Sequence, residues 1–205
     1  MKKNKKLNQY LKIRNRDYFF KQSKIQGYRS RSAFKLIELD KKFKILKSNS
    51  LLLDLGSAPG GWSQVAAKKI TRGKILAIDI KPMEEINSVK FIQGNFVEKN
   101  ILLKIKSYFN RSIDLVLSDM AENTSGNKSL DSYRTGELCL NSMDLAKDIL
   151  TSEGIFLSKV FMGSIFNEIN NKAIKNFKNV VIYKPTSSKK ESKEIYIFCK
   201  GLLSS

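Results

Sequence analysis

The 205-residue sequence predicts an α/β fold: a seven-stranded, mostly parallel sheet with an antiparallel pair at one edge and helices on both faces. Three observations carry this. Strand-like and helix-like runs alternate through the first five strands. A glycine-rich turn follows the first strand, where ligands of open α/β sheets bind. The last two strand-like runs are joined by KPTSSKKESK, too short for a crossover helix, so they pair antiparallel.

The elements follow in order. SRSAFKLIELDKKF (30–43) has apolar residues at 33, 34, 36, 37 and 39, an amphipathic helix that Ser30 or Ser32 could cap. Strands are expected at 51–54, 74–79, 89–92, 113–118, 155–161, 180–183 and 194–199. Helices are expected near 62–69, 97–109, 133–150 and 166–177. Neither repeats nor a second domain are evident. The expected organisation is a basic, aromatic arm over 1–27 and one domain over 28–205.

LLLDLGSAPGGWSQ (51–64) is an apolar strand ending on Asp54, then a turn of small residues that opens a helix at Trp62. Small residues let the backbone approach a ligand, and the free N–H groups of a helix start face it. A second strand, KILAID, ends on Asp79, placed to grip a ribose. A dinucleotide fingerprint requires glycine where Ala58 stands, with Pro59 after it. A ligand without a pyrophosphate fits better, and S-adenosylmethionine is the common one.

Composition narrows the chemistry. Apolar residues make up 41%, enough for a full core. No apolar run is long enough to span a membrane, and the opening MKKNKKLNQY lacks an export signal's apolar stretch. Cys139 and Cys199 read as inert core thiols of a cytoplasmic protein. No histidine is present, which removes His-based triads, most zinc sites and imidazole acid–base chemistry, and no metal is expected.

The net charge is +19, and residues 1–35 hold 12 Lys/Arg against the single Asp17, a net of +11. Tyr10, Tyr18, Phe19, Phe20 and Tyr28 are interleaved with those charges. A solubilising tail would also be basic, but a general lysine bias would spread its excess evenly. Cations can track phosphates and aromatic faces can stack on unpaired bases, so a polyanionic partner is expected. So high a charge also favours a monomer.

Three polar residues break the strand pattern. Asp119 stands just past strand 113–118, Lys159 lies inside IFLSKVF, and Glu194 opens the final strand. Surface or edge positions would explain each, least easily Lys159, whose neighbours on both sides are apolar. Desolvation and a nearby cation make a buried lysine's neutral amine available as a general base, with an acid beside it as orienting partner.

Taken together, YRSRSAFKL (28–36), LDLGSAPGGWSQ (53–64), IDIKPM (78–83), FIQGNF (91–96), LSDMAEN (117–123), SKVFMG (158–163) and KPTSSKKESKEIYI (184–197) resemble the FtsJ/RrmJ family of RNA ribose 2′-O-methyltransferases. The resemblance implies a Rossmann-like, S-adenosylmethionine-dependent methyltransferase fold. It implies a Lys-Asp-Lys-Glu catalytic tetrad, here Lys35, Asp119, Lys159 and Glu194, and cofactor contacts by Gly60, Trp62, Asp79, Asn95 and Asp119. Asn95 stands where the family usually has Asp, and Glu122 where it has Pro. An Asn carbonyl still accepts from an adenine amino group.

The implied substrate is RNA, neither DNA nor membrane lipid, with a uridine of 23S RNA in the large ribosomal subunit as the expected target. Transfer RNA and mRNA caps are the alternative targets, and a non-catalytic ribosome-assembly factor is the alternative class. Base-nitrogen methylation is disfavoured because Met120-Ala121-Glu122 follows Asp119 instead of a Pro-Pro-aromatic loop. A dehydrogenase is disfavoured by Ala58.

Overall fold

The structure, a computed structural model, describes residues 18–121, 126–188 and 192–203. Most of the expected arm, Tyr10 included, and Glu122 therefore lie outside the described residues.

A helical segment, α1 (18–25), precedes α2 (Ala33–Phe43). Phe19 and Tyr28 dock it by packing on Phe34, at ring separations of 5.4 and 5.8 Å. The remaining elements are β1 (Leu51–Leu55), α3 (Gly61–Lys69), β2 (Lys74–Asp79), β3 (Val89–Gln93), α4 (Lys99–Phe109), β4 (Ile113–Ser118), α5 (Lys128–Ile149), β5 (Leu150–Phe161), α6 (Phe166–Asn176), β6 (Phe177–Tyr183) and β7 (Glu194–Leu202).

The sheet runs β3-β2-β1-β4-β5-β7-β6. The first five strands are mutually parallel, and β7 lies antiparallel between β5 and β6. The antiparallel edge pair expected from the short 184–193 linker is present.

Period-2 alternation divides each strand between two cores. Leu51, Leu53 and Leu55 of β1 face one side, with Ile101 and Ile105 of α4 and Met143 and Ala146 of α5. Leu52 faces the other, with Leu36 and Leu39 of α2 and Trp62 and Val65 of α3. A strand buried on both faces needs apolar residues at every position, so the one acid in LLLDL, Asp54, is conspicuous.

Several boundaries differ from the sequence expectations. Helix α5 starts at Lys128, five residues before 133, because the Asn127 side chain accepts from the Ser129 and Leu130 amides. Strand β5 starts at Leu150, ahead of a register shift, and its polar Thr151–Gly154 stretch hides that start from a hydrophobic count. Neither Ser30 nor Ser32 caps α2: their hydroxyls pair with each other at 2.7 Å, and the helix begins at Ala33 without a side-chain cap. Cys139 and Cys199 are free and buried, and burial pushes the Cys139 thiol up to about 12.

Candidate active site

Asp54, Asp79, Asp119 and Lys159 all lie at or near the carboxyl ends of adjacent parallel strands. Such strand ends, beside the β1–β4 switch in strand order, open a crevice. A cleft of about 280 Å³ occupies it, with Gly56, Ala58, Asp79, Asn95, Asp119 and Lys159 in its wall.

The acid tips organise the turns around that cleft. Asp79 accepts from the Ala58 amide at 2.9 Å and the Lys81 amide at 2.8 Å, tying the glycine turn to the end of β2. Asn95 lines the wall, its Oδ1 reached only by a long 3.4 Å bond from the Val97 amide. Gly60 and Trp62 are not among the residues that line the cleft. Gly60, at φ 112°, starts α3 beneath Arg29, Met83 and Ile86, a backbone conformation that favours glycine. Trp62 is buried, donates from its indole N–H to the Ser32 carbonyl at 2.9 Å and lies 5.8 Å from the Tyr196 ring.

Asp54 Oδ2 accepts from Ser63 Oγ at 2.6 Å, while Asp54 Oδ1 and Ser57 Oγ are buried and find no hydrogen-bond partner among the described residues. Burial, with the charges of Asp119 and Asp79, pushes the Asp54 carboxyl up to about 7, against the pull of the Ser63 hydroxyl. Orphaned acceptors of this kind await a donor or a cation.

The four residues singled out as a tetrad come together as two ion pairs. Lys159 Nζ is 3.1 Å from Asp119 Oδ1 and donates to the Asp119 carbonyl at 2.5 Å. Lys35 Nζ meets both oxygens of Glu194, at 2.7 and 2.8 Å. Lys159 and Lys35 are each 8% exposed at the side chain, so neither is a free surface cation. Burial would raise the Asp119 carboxyl, but Lys159 and Lys35, with the Tyr196 hydroxyl, hold it below the usual carboxylate range. Glu194 thus holds Lys35, and Asp119 holds Lys159.

Tyr196 links the pairs and was not singled out from sequence. Its hydroxyl donates to Asp119 Oδ1 at 2.8 Å, and Lys35 Nζ lies 6.0 Å from its ring centroid. Strand β7 lies beside β5 in the register Lys159↔Tyr196 and Phe161↔Glu194. Glu194 and Tyr196 share one face of β7 by period 2, a signal that alternation in EIYIFC contains. Among the described residues, no group of three His, Cys, Asp or Glu could hold a metal, and no helix is long and apolar enough to cross a membrane.

Sheet order, glycine turn and acid-tipped cleft define a Rossmann-like methyltransferase. Human methyltransferase-like protein 13, solved in complex with SAH, shares the fold at 13% identity, with TM-score 0.61 over 82% of this chain and 86% of that one. The chain belongs to the FtsJ-like methyltransferase family, whose model matches residues 28–202. It is 46% identical to the ribosomal RNA large subunit methyltransferase E of Pelagibacter ubique over 98% of this chain and 100% of that protein. The protein of that name from Marinobacter nauticus is 41% identical, with 98% of each chain covered. A Plasmodium falciparum crystal structure described as a ribosomal RNA methyltransferase superposes with TM-score 0.79 at 36% identity, covering 87% of this chain and all of that one.

Proposed function

We propose that this methyltransferase transfers a methyl group from S-adenosylmethionine to a ribose 2′-hydroxyl of large-subunit ribosomal RNA, a uridine of 23S RNA in the ribosomal particle. The observation that carries the chemistry is Lys159 Nζ in the cleft wall, 3.1 Å from the Asp119 carboxylate. The target follows from relatives named ribosomal RNA large subunit methyltransferase E that align along almost the whole chain.

The cleft suits this cofactor. Asp79 suits a ribose, Asn95 an adenine edge, and the Asp119 carboxylate in the wall, held below the usual carboxylate range, favours a cationic ligand. Gly60 begins the helix that follows the glycine turn and Trp62 anchors that helix to the Ser32 carbonyl. When bound, S-adenosylmethionine supplies an electrophilic methyl on a sulfonium that leaves as a neutral thioether.

The chain's own residues do the rest. Lys159 Nζ, entering the step as the neutral amine, takes the proton of the 2′-hydroxyl as the oxygen–methyl bond forms and becomes the ammonium that Asp119 pairs with. Asp119 fixes that amine through its carboxylate and its carbonyl. Lys35, fixed by Glu194, supplies positive potential where alkoxide character develops. Holding hydroxyl and methyl in line accounts for much of the rate gain. The basic arm over 1–27 grips RNA phosphates while the domain over 28–205 acts as a cytoplasmic monomer.

The experiment is transfer of tritiated methyl from S-adenosylmethionine to large-subunit particles, followed by mapping of 2′-O-methyl nucleotides. Label in a ribose of the large-subunit RNA is the expected result. Label in a base, in transfer RNA alone, or in no RNA overturns the reading.

A further inference from the structure

Glu38 occupies the turn of α2 after Lys35, on the same side of the helix. Its carboxylate collects five hydrogen bonds from a segment about 150 residues further along the chain. Oε1 accepts from the Tyr183 hydroxyl at 2.9 Å and the Thr186 amide at 2.7 Å. Oε2 accepts from the Thr186 hydroxyl at 3.0 Å and from the Ser187 amide and hydroxyl, each at 3.1 Å. Burial alone would raise this carboxyl, yet the two amides and the Tyr183 and Thr186 hydroxyls hold it below the ordinary range.

The segment so gripped ends on Ser188, whose hydroxyl donates to Glu194 Oε1 at 2.8 Å. Glu194 in turn holds Lys35. The contacts close a ring: Lys35, Glu194, Ser188, the Thr186–Ser187 turn, Glu38, and one helical turn back to Lys35. Their effect is to fix the position of Ser188 relative to the helix that carries the lysine.

We propose that Glu38 is a positioning residue for methyl transfer: it holds the 183–188 segment so that Ser188 aligns Glu194, and Glu194 aligns Lys35. The proposal rests on the reading that Lys35 serves methyl transfer to RNA. Misplacement of a charged group by about 1 Å can cost a rate about 100-fold. Loss of Glu38 therefore acts on kcat, whereas cofactor affinity, set at Asp79 and Asn95, stays the same.

The test is a double-mutant cycle on full-length protein, comparing Glu38→Ala, Ser188→Ala and the double variant. Methyl transfer to ribosomal particles gives kcat and KM, and calorimetry gives the S-adenosylmethionine Kd. Each single change is expected to lower kcat by about 10- to 100-fold with Kd unchanged, and the double variant to fall no further than Glu38→Ala alone. Glu38→Gln, which keeps one accepting oxygen, is expected to recover part of the loss. If Glu38→Ala does not fold, Glu38→Gln completes the cycle.

A second readout needs no turnover. In protein labelled with 13C at lysine Cε, the Lys35 resonance, assigned by its disappearance in Lys35→Arg, is expected to move in both Glu38→Ala and Ser188→Ala. Losses of kcat that multiply in the double variant, wild-type kcat in Glu38→Ala, or a Lys35 resonance unmoved in either variant each overturn the proposal. A wild-type protein that transfers no methyl refutes the assigned activity instead, and the resonance still decides whether the clamp exists.

Discussion

The Tyr196 hydroxyl donates to Asp119 at 2.8 Å while its ring lies 6.0 Å from the Lys35 ammonium, so one buried side chain touches both lysine–carboxylate pairs. Burial and the charges of Asp119 and Glu194 push the Tyr196 phenol well above its usual value, so it stays a donor across the working pH range. Tyr196→Phe keeps the packing and deletes one bond to a charged acceptor, worth about 1.5–3 kcal/mol. The expected outcome is a roughly 10- to 100-fold loss of single-turnover rate. S-adenosylmethionine affinity by calorimetry should hold.

Lys159→Ala removes the proposed base and leaves the glycine turn intact. Loss of a positioned general base costs about 10²- to 10⁴-fold. The measurement is tritiated-methyl transfer beside a cofactor-binding titration, and retained turnover would refute the base assignment. An acid left buried without its lysine also destabilises the fold, so a lowered Tm accompanies the loss.

Asp54 ties stability to pH. Its folded value of about 7 lies above the ordinary 3.8, so the folded state prefers the protonated carboxyl. Below about pH 4 the group is protonated in both states and costs nothing. As pH rises from 4 to 7 the folded state loses stability, and above 7 the loss is constant at about 4 kcal/mol. Denaturant unfolding of Asp54→Asn should lack this slope and gain on the wild type most above pH 7. Parallel pH profiles for the two proteins would remove Asp54 from the account.

Trimming residues 2–17 deletes seven Lys/Arg and leaves the Phe19–Phe34 anchor of α1 in place. RNA affinity should fall, with the slope of log K against log salt shrinking by about 0.7 for each lost phosphate contact to single-stranded RNA. Cofactor affinity should not change. Filter binding across a salt series measures the first and calorimetry the second.

Much of this architecture is legible in the residues because parallel strands buried on both faces leave unbroken apolar runs, as in LLLDL and KILAID. Lys159 and Asp119 stand out for the same reason: a charge within or just past such a run interrupts the apolar pattern, Lys159 most of all because its neighbours on both sides are apolar. Lys35 does not stand out, since a lysine on an amphipathic helix looks like any solvated one; only its long-range contact with Glu194 distinguishes it. Glu38 and Ser188 are hidden for the same reason, their partners being set by where Thr186, Ser187 and Glu194 come to lie in three dimensions. Trp62 sits where a ligand contact was expected, yet its indole N–H is spent on the Ser32 carbonyl and its ring lies beside Tyr196.

Strand β7 fills the gap between β5 and β6, and β6 pairs with no other strand. The carboxylate for Lys35 therefore arrives 159 residues after the lysine, on β7. That strand carries the carboxylate partner of Lys35, the Tyr196 hydroxyl that donates to Asp119 and the core side chains Ile195, Ile197 and Cys199. Losing it would remove the lysine's partner and part of the core together.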